Sequence, residues 1–139
     1  MISPLDVSAS ALSAQRLRMN VIASNLANVN TTRDEYGRNV PYKRMEVAFQ
    51  EMKQDGRVSG VQVASVQSDA NPYKWIHDPD HPDAVKDPRN PNFGQVLVPR
   101  INHVQEMVDM MLASRAYEAN LTAMQVTKSI GQSVSRIIS

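Results

Sequence analysis

The 139-residue chain has no cysteine, only five glycines and seven aromatic side chains (one Trp, two Phe, four Tyr). Without cysteine there are no disulfides, no thiolate nucleophile and no thiolate metal site. Scarce aromatics leave burial to Val, Ile, Leu, Met and Ala, the palette of helix packing rather than of an aromatic-lined enzyme pocket. A strong field is also missing: fifteen basic residues meet fourteen acidic ones, so attraction to nucleic acid or to an anionic membrane surface is not implied. No apolar run approaches the length of a membrane span, and MISPLDVSAS lacks the basic start and apolar stretch of a secretory signal. By these absences alone the expected location is the cytosol.

What is present divides the chain in three. Residues 1–30 carry only Asp6, Arg16 and Arg18, whereas 31–57 carry eleven charged side chains, and six of the eight prolines lie from Pro72 to Pro99. Ser3, Pro4 and Asp6 give a hydroxyl cap, a proline at the first helical position and an acid in the first turn. Leu5, Leu12, Met19 and Leu26 then recur every seven residues, which predicts a helix over 4–28. At the other end Ile101, Val104, Val108, Leu112, Ala116, Ala119, Ala123, Val126, Ile130, Val134 and Ile137 follow at steps of three or four. They predict a second helix, of about 35 residues, capped by Asn102.

The expected fold class is α+β. A 1–30 assembly helix and a 101–139 assembly helix pair lengthwise as a coiled-coil-like bundle, around a small β-rich middle region at 31–100. Strand-like runs at 40–49, 58–66, 73–77 and 95–99, with turns at Asp55-Gly56 and Asn71-Pro72, suggest one small sheet. A second apolar stripe on the C-terminal helix, Met107, Met111, Leu121 and Met124, calls for a further partner, expected to be another copy or a relative. Asn20, Ser24 and Asn28 share one side of the first helix with Asn25 beside them. Amides there either fix the register of an assembly or simply face water and cap the helix end.

The stretch HDPDHPDA places His77, Asp78, Asp80, His81 and Asp83 together. Pro79 and Pro82 forbid the helix on which two histidines four apart would share a face, so a rigid loop is expected, with a loop-borne metal site as the alternative. Lys43-Arg44 reads as a solvated basic pair. No nucleophile elbow or phosphate-binding glycine loop accompanies the serines, and no cofactor is expected.

SASALSAQRLRMNVIASNLANVNTT (8–32), with DPDHPDA (78–84) and EMVDMMLASRAYEANLTAM (106–124), resembles the bacterial flagellar rod and hook family. The resemblance implies a structural axial protein, not an enzyme. It would be exported through the flagellar type III export apparatus without a cleaved signal peptide. It would polymerise with other rod proteins and copies of itself in the periplasmic part of the basal body, replacing the cytosolic expectation. It aligns Asn25, Ala27, Asn28, Asn30 and Thr31 with the family's asparagine-rich motif, and Met107, Asp109, Met110, Arg115, Tyr117, Glu118 and Asn120 with its C-terminal signature. The expected subunit interface is Leu5, Leu12, Met19, Asn20, Asn25, Leu26, Asn28, Met107, Met110, Met111, Arg115, Tyr117, Glu118, Leu121 and Met124. In it Arg115 and Glu118 make edge contacts while Met110 and Tyr117 fill the seam. The rivals are another axial protein with a larger middle region, and a metal-binding or enzymatic module on the His77 to Asp83 loop.

Overall fold

The computed structural model describes residues 4–138; the Ser3 cap expected from the sequence lies outside them. Helix α1 spans Pro4–Ala27 and helix α2 spans His103–Ile138, with strands β1 (Met45–Gln54), β2 (Arg57–Ser68), β3 (Tyr73–His77) and β4 (Gln95–Pro99) between them. Pro4 opens α1, where its missing N–H is no loss. Asn102 caps α2: its Oδ1 accepts the backbone N–H groups of Val104 at 3.1 Å and Gln105 at 3.2 Å, two of the donors a helix start leaves unpaired.

The expected single sheet is two separate antiparallel pairs, β1-β2 and β3-β4. Asp55, at φ 51°, and Gly56, at φ 75°, form the tight two-residue connection that pairs Gln54 with Arg57. That turn draws the polar Glu51 to Gln54 segment into β1, beyond the expected end at residue 49. The start of β1 also moves, from residue 40 to Met45: Pro41 brings no donor to a ladder, and Tyr42 N–H is spent on Thr31 O at 3.1 Å.

The β1-β2 ribbon lies along α1, and α2 packs on α1 alone among the helices and strands. Asn25 meets Met45 at one end of α1 and Ser10 meets Val61 near the other, so the ribbon runs back along the helix. Fifteen helical residues cover about 22 Å. Met45 to Met52, which stands opposite Gly60, covers about 23 Å of strand. The two lengths match, and bulges at Ala48/Phe49 and Met52/Lys53 bend the ribbon.

The packing of α2 reverses one expectation. Its side chains that are buried or half-buried are Glu106, Asp109, Met110, Ala113, Tyr117, Asn120, Met124 and Thr127, with Ser114 and Ala116 beside them. These sit at helical spacing on the side facing α1. The longer apolar stripe, expected to pair with α1, points the other way: Val104 is 69% exposed, Leu112 54% and Ile130 59%. With 36 residues against 24, α2 also outruns α1, and residues 128–138 are exposed throughout.

Gly60 fixes the approach of ribbon to helix. At φ 155°, a backbone region that favours glycine, an added Cβ would overlap Ser10 Oγ and stand 3.2 Å from Ser10 Cβ. The same Ser10 Oγ accepts Val61 N–H at 3.1 Å and donates to Val7 O at 2.7 Å. Gly60→Ala is therefore expected to destabilise the chain by about 2 kcal/mol. Part of that loss should be relieved when Ser10 is already Ala. A urea-unfolding double-mutant cycle with strictly additive effects would contradict the contact.

Candidate functional site

Asn25 ends up in the most enclosed position of α1, 1% exposed, and Glu106 matches it on α2 at 1%. Burial of an amide and a carboxylate demands partners, and both have them. Asn25 Nδ2 donates to Met45 O at 2.9 Å and to Glu106 Oε2 at 3.1 Å, while its Oδ1 accepts Met45 N–H at 3.0 Å and Tyr42 O–H at 3.2 Å. All four hydrogen-bonding positions of the amide are used. Because it takes both backbone groups of Met45, Asn25 acts as a one-residue strand on the free edge of β1.

Arg44 closes the junction. Its Nε donates to Glu106 Oε1 at 2.5 Å and its Nη1 pairs with Glu46. Burial opposes the Arg44 charge, but the hydrogen bonds to Glu46 and Glu106 outweigh it and hold the pKa above its ordinary value. A cavity of about 170 Å³ adjoins these residues, lined also by Arg18, Val21 and Asp109. The three charged or amide side chains come from α1, the residue just before β1 and the first turn of α2. Since Glu106 must face Asn25 and Arg44, the rotation of α2 about its axis is set, and Val104, Val108 and Leu112 are left outward.

A second junction ties down the proline-rich loop. Asp83, 8% exposed, accepts Thr32 O–H at 2.6 Å on Oδ2 and Arg33 Nε–H at 2.8 Å on Oδ1, with Arg33 Nη2 on the same oxygen. His81 Nδ1 accepts the Asp83 backbone N–H at 3.0 Å. So HPDA clips onto the NTTR segment that follows α1. The hydrogen bonds from Arg33 and then Thr32 hold the Asp83 carboxyl below its usual range against the cost of burial. Its ligating atoms are engaged inside the chain, and among the described residues no group of three His, Cys, Asp or Glu comes together as a metal site would need.

The expected interface residues sort by burial. Asn25 is enclosed and wholly engaged within the chain. Asn28 is half-buried and local: its N–H bonds Ser24 O at 3.1 Å, its Nδ2 bonds Ser24 O at 2.8 Å, and Thr31 Oγ1 donates to its Oδ1, an asparagine finishing a helix. Leu12, Met19, Leu26, Met110, Tyr117 and Met124 are half-buried, while Leu5, Asn20, Met107, Met111, Arg115, Glu118 and Leu121 are exposed. Arg115 and Glu118 make no ion pair among the described residues. Sequence reasoning places Arg44 in a solvated pair and Asp83 in a rigid or metal-binding loop, and misses Glu106 as a junction residue. A basic pair looks solvated in sequence; the available signal for Glu106 is an acid, with Asp109 three residues on, on a side of the helix otherwise made of Met, Ala, Tyr, Asn and Thr.

Comparison with known proteins adds the decisive observation. Residues 5–33 match the family model described as flagella basal body rod protein, and residues 99–137 match the C-terminal model of the flagellar basal body rod FlgEFG proteins. The flagellar basal-body rod protein FlgC of Borreliella burgdorferi is 38% identical over 99% of this chain and 97% of its own length. Those of Bacillus subtilis and Aquifex aeolicus are 40% and 41% identical, covering 89% and 91% of this chain and 89% and 88% of theirs. The chain belongs to the flagellar basal-body rod protein family. As a rod-family member it is a structural component of the basal body that assembles with other rod components, not an enzyme. The α+β reading with two terminal helices stands. Rod-family matches end at 33 and resume at 99, which brackets α1 with its asparagine segment and α2 with its cap.

Two outcomes follow from the junctions. Asn25→Asp should destabilise more than Asn25→Ala at neutral pH, because it sets a second carboxylate against Glu106; the alanine variant itself is expected to cost about 3 kcal/mol by stranding Met45 and Glu106. Equal urea midpoints for the two would contradict this. For Asp83, the folded pKa lies below the unfolded value, so its contribution is present at neutral pH and is lost as pH falls through the folded pKa, below about pH 4. Amide NMR signals of Thr32 and Ala84 should shift over that range in the native chain and stay put in Asp83→Asn.

Proposed function

We propose that the chain is a subunit of the proximal part of the flagellar rod, polymerising with copies of itself and with other rod proteins through its terminal helices. The observation that carries this is the outward apolar stripe of α2. Val104, Val108, Leu112, Val126, Ile130, Val134 and Ile137 stand 43–83% exposed at helical spacing, and the stripe runs on past the end of α1. A contiguous exposed apolar face of this extent marks a protein-binding surface. Met107, Met111 and Leu121 widen it, and Arg115 and Glu118 lie along it with no ion pair among the described residues, placed to meet a neighbour. On α1, Leu5 and Asn20 offer a second exposed strip; Leu12, Met19, Leu26, Met110, Tyr117 and Met124 shape the seam behind, and Asn25 and Asn28 hold the chain's exit from α1. Residues 1–30 and 101–139 are thus the assembly segments, and 31–100 is the part held between them.

Passage through the flagellar export apparatus without a cleaved signal, to the periplasmic span of the basal body, belongs to the same proposal. A cysteine-free chain supports it, having no disulfide to hinder transport in an unfolded state.

The test is Val108→Gln with Leu112→Gln. Both side chains are exposed, so stability should move by no more than about 0.5 kcal/mol each. Swarming and recovery of the subunit in purified basal bodies should nevertheless be lost. Normal motility from a stably folded double variant would overturn the assignment of this face.

A further inference from the structure

Five residues of α2 hold three methionines with different surroundings. Met107 is 48% exposed and Met111 57%, whereas Met110, adjacent to Met111, is half-buried on the side facing α1. The remaining described methionines, at 19, 45, 52 and 124, are half-buried as well. Met107 and Met111 are four apart, so they stand one above the other on the helix. Val104, Val108 and Leu112 stand beside them on the exposed apolar stripe.

We propose that Met107 and Met111 form an oxidation site for hydroperoxides that blocks the α2 face before the subunit is assembled. This rests on the reading of that face as the rod interface. The thioether sulfur lone pair attacks the distal peroxide oxygen. An S–O bond forms as the O–O bond breaks, the sulfur loses two electrons to the peroxide, and water leaves when the oxidant is hydrogen peroxide. A flexible apolar side chain becomes a polar sulfoxide, a change that disrupts methionine-bearing interfaces. Two sulfoxides one helical turn apart would place polar oxygens in the middle of the Val104 to Leu112 segment, where a neighbour's apolar surface must come to rest. Burial of the sulfurs under that neighbour protects an assembled subunit, so the modification discriminates free chains from incorporated ones.

The experiment has two arms. In the first, the purified full-length chain is exposed to dilute hydrogen peroxide and the peptide from Ile101 to Arg115 is sequenced by mass spectrometry over time. All three methionines lie in that one peptide, so Met110 is an internal control. Oxidation of Met107 and Met111 several-fold faster than Met110 is expected; equal rates would overturn the site. In the second, Met107→Leu with Met111→Leu is compared with Met107→Gln and Met111→Gln in motile cells. Whatever its own rate of swarming, the leucine pair should hold that rate through a peroxide pulse that slows new rod assembly in the native strain; an equal slowing of both would overturn the site. The glutamine pair, polar like the sulfoxide, should be absent from basal bodies although folded. Incorporation of the glutamine pair at the native level would overturn the block. Loss of native, unoxidised subunit from basal bodies would instead count against the rod reading itself, which keeps the two failures apart.

Discussion

The contact between Asn25, Arg44 and Glu106 governs how the rest of the chain is arranged. It joins the last turn of α1, the start of β1 and the first turn of α2. Buried ion pairs give little net stability relative to a well-packed apolar replacement, because desolvation offsets the attraction, but breaking one is costly. Such a contact specifies more than it stabilises. With few aromatics, and with Ala14, Ile22, Ala84, Val96, Ile101 and Ala113 as the buried hydrophobic side chains among the described residues, the chain lacks a bulky core to dictate element orientation by shape. A polar junction with one satisfied geometry does it instead.

From that junction the remaining placements follow by length and spacing. The β1-β2 ribbon leaves Asn25 and returns along α1 until Gly60 reaches Ser10, where only a glycine admits the helix. Arg18 lies over the Phe49 ring between these anchors, 6.0 Å from its centroid, at a distance where a cation and a ring face attract. At the far side of the asparagine segment, Asp83 draws the proline-rich loop onto Thr32 and Arg33. β3 and β4 are then held to the helical part by chain connections and by this clip rather than by packing on either helix. Two polar clips and one close backbone approach therefore position what a larger protein would position with apolar volume.

Much of this was readable in advance where periodicity or covalent chemistry alone decides. The limits of α1 and α2, the strands at 73–77 and 95–99, the Asn102 cap and the Asp55-Gly56 turn all emerge from local rules. What resisted was everything that depends on rotation. A 3.6-residue period shows that α2 has faces but not which of them turns inward, and the more apolar face is the natural guess for the interior. Here the inward face is chosen by Glu106, a residue that hydropathy votes against. Arg44 was misread for a related reason: its neighbour Lys43 is exposed, and an alternating strand puts adjacent side chains on opposite sides. The asparagines separate the same way, Asn25 inward to the junction and Asn28 closing the helix end.

Placing the strongest apolar face outward has a thermodynamic consequence. Among the described residues, α1 covers the side of α2 that carries Glu106, Met110, Ala113 and Tyr117, and residues 128–138 are exposed. A helix of that composition gains little from propensity alone, and apolar burial within the chain adds little to its last three turns. Ile130, Val134 and Ile137 are 59%, 48% and 83% exposed, so most of the gain from burying them is left unused within the chain. The interior junction has the opposite character, complete before any partner arrives. One end of α2 is thus fixed by the chain's own polar chemistry, and toward the other its apolar side chains stand exposed, so the helix angle is set by a junction that owes nothing to the apolar stripe.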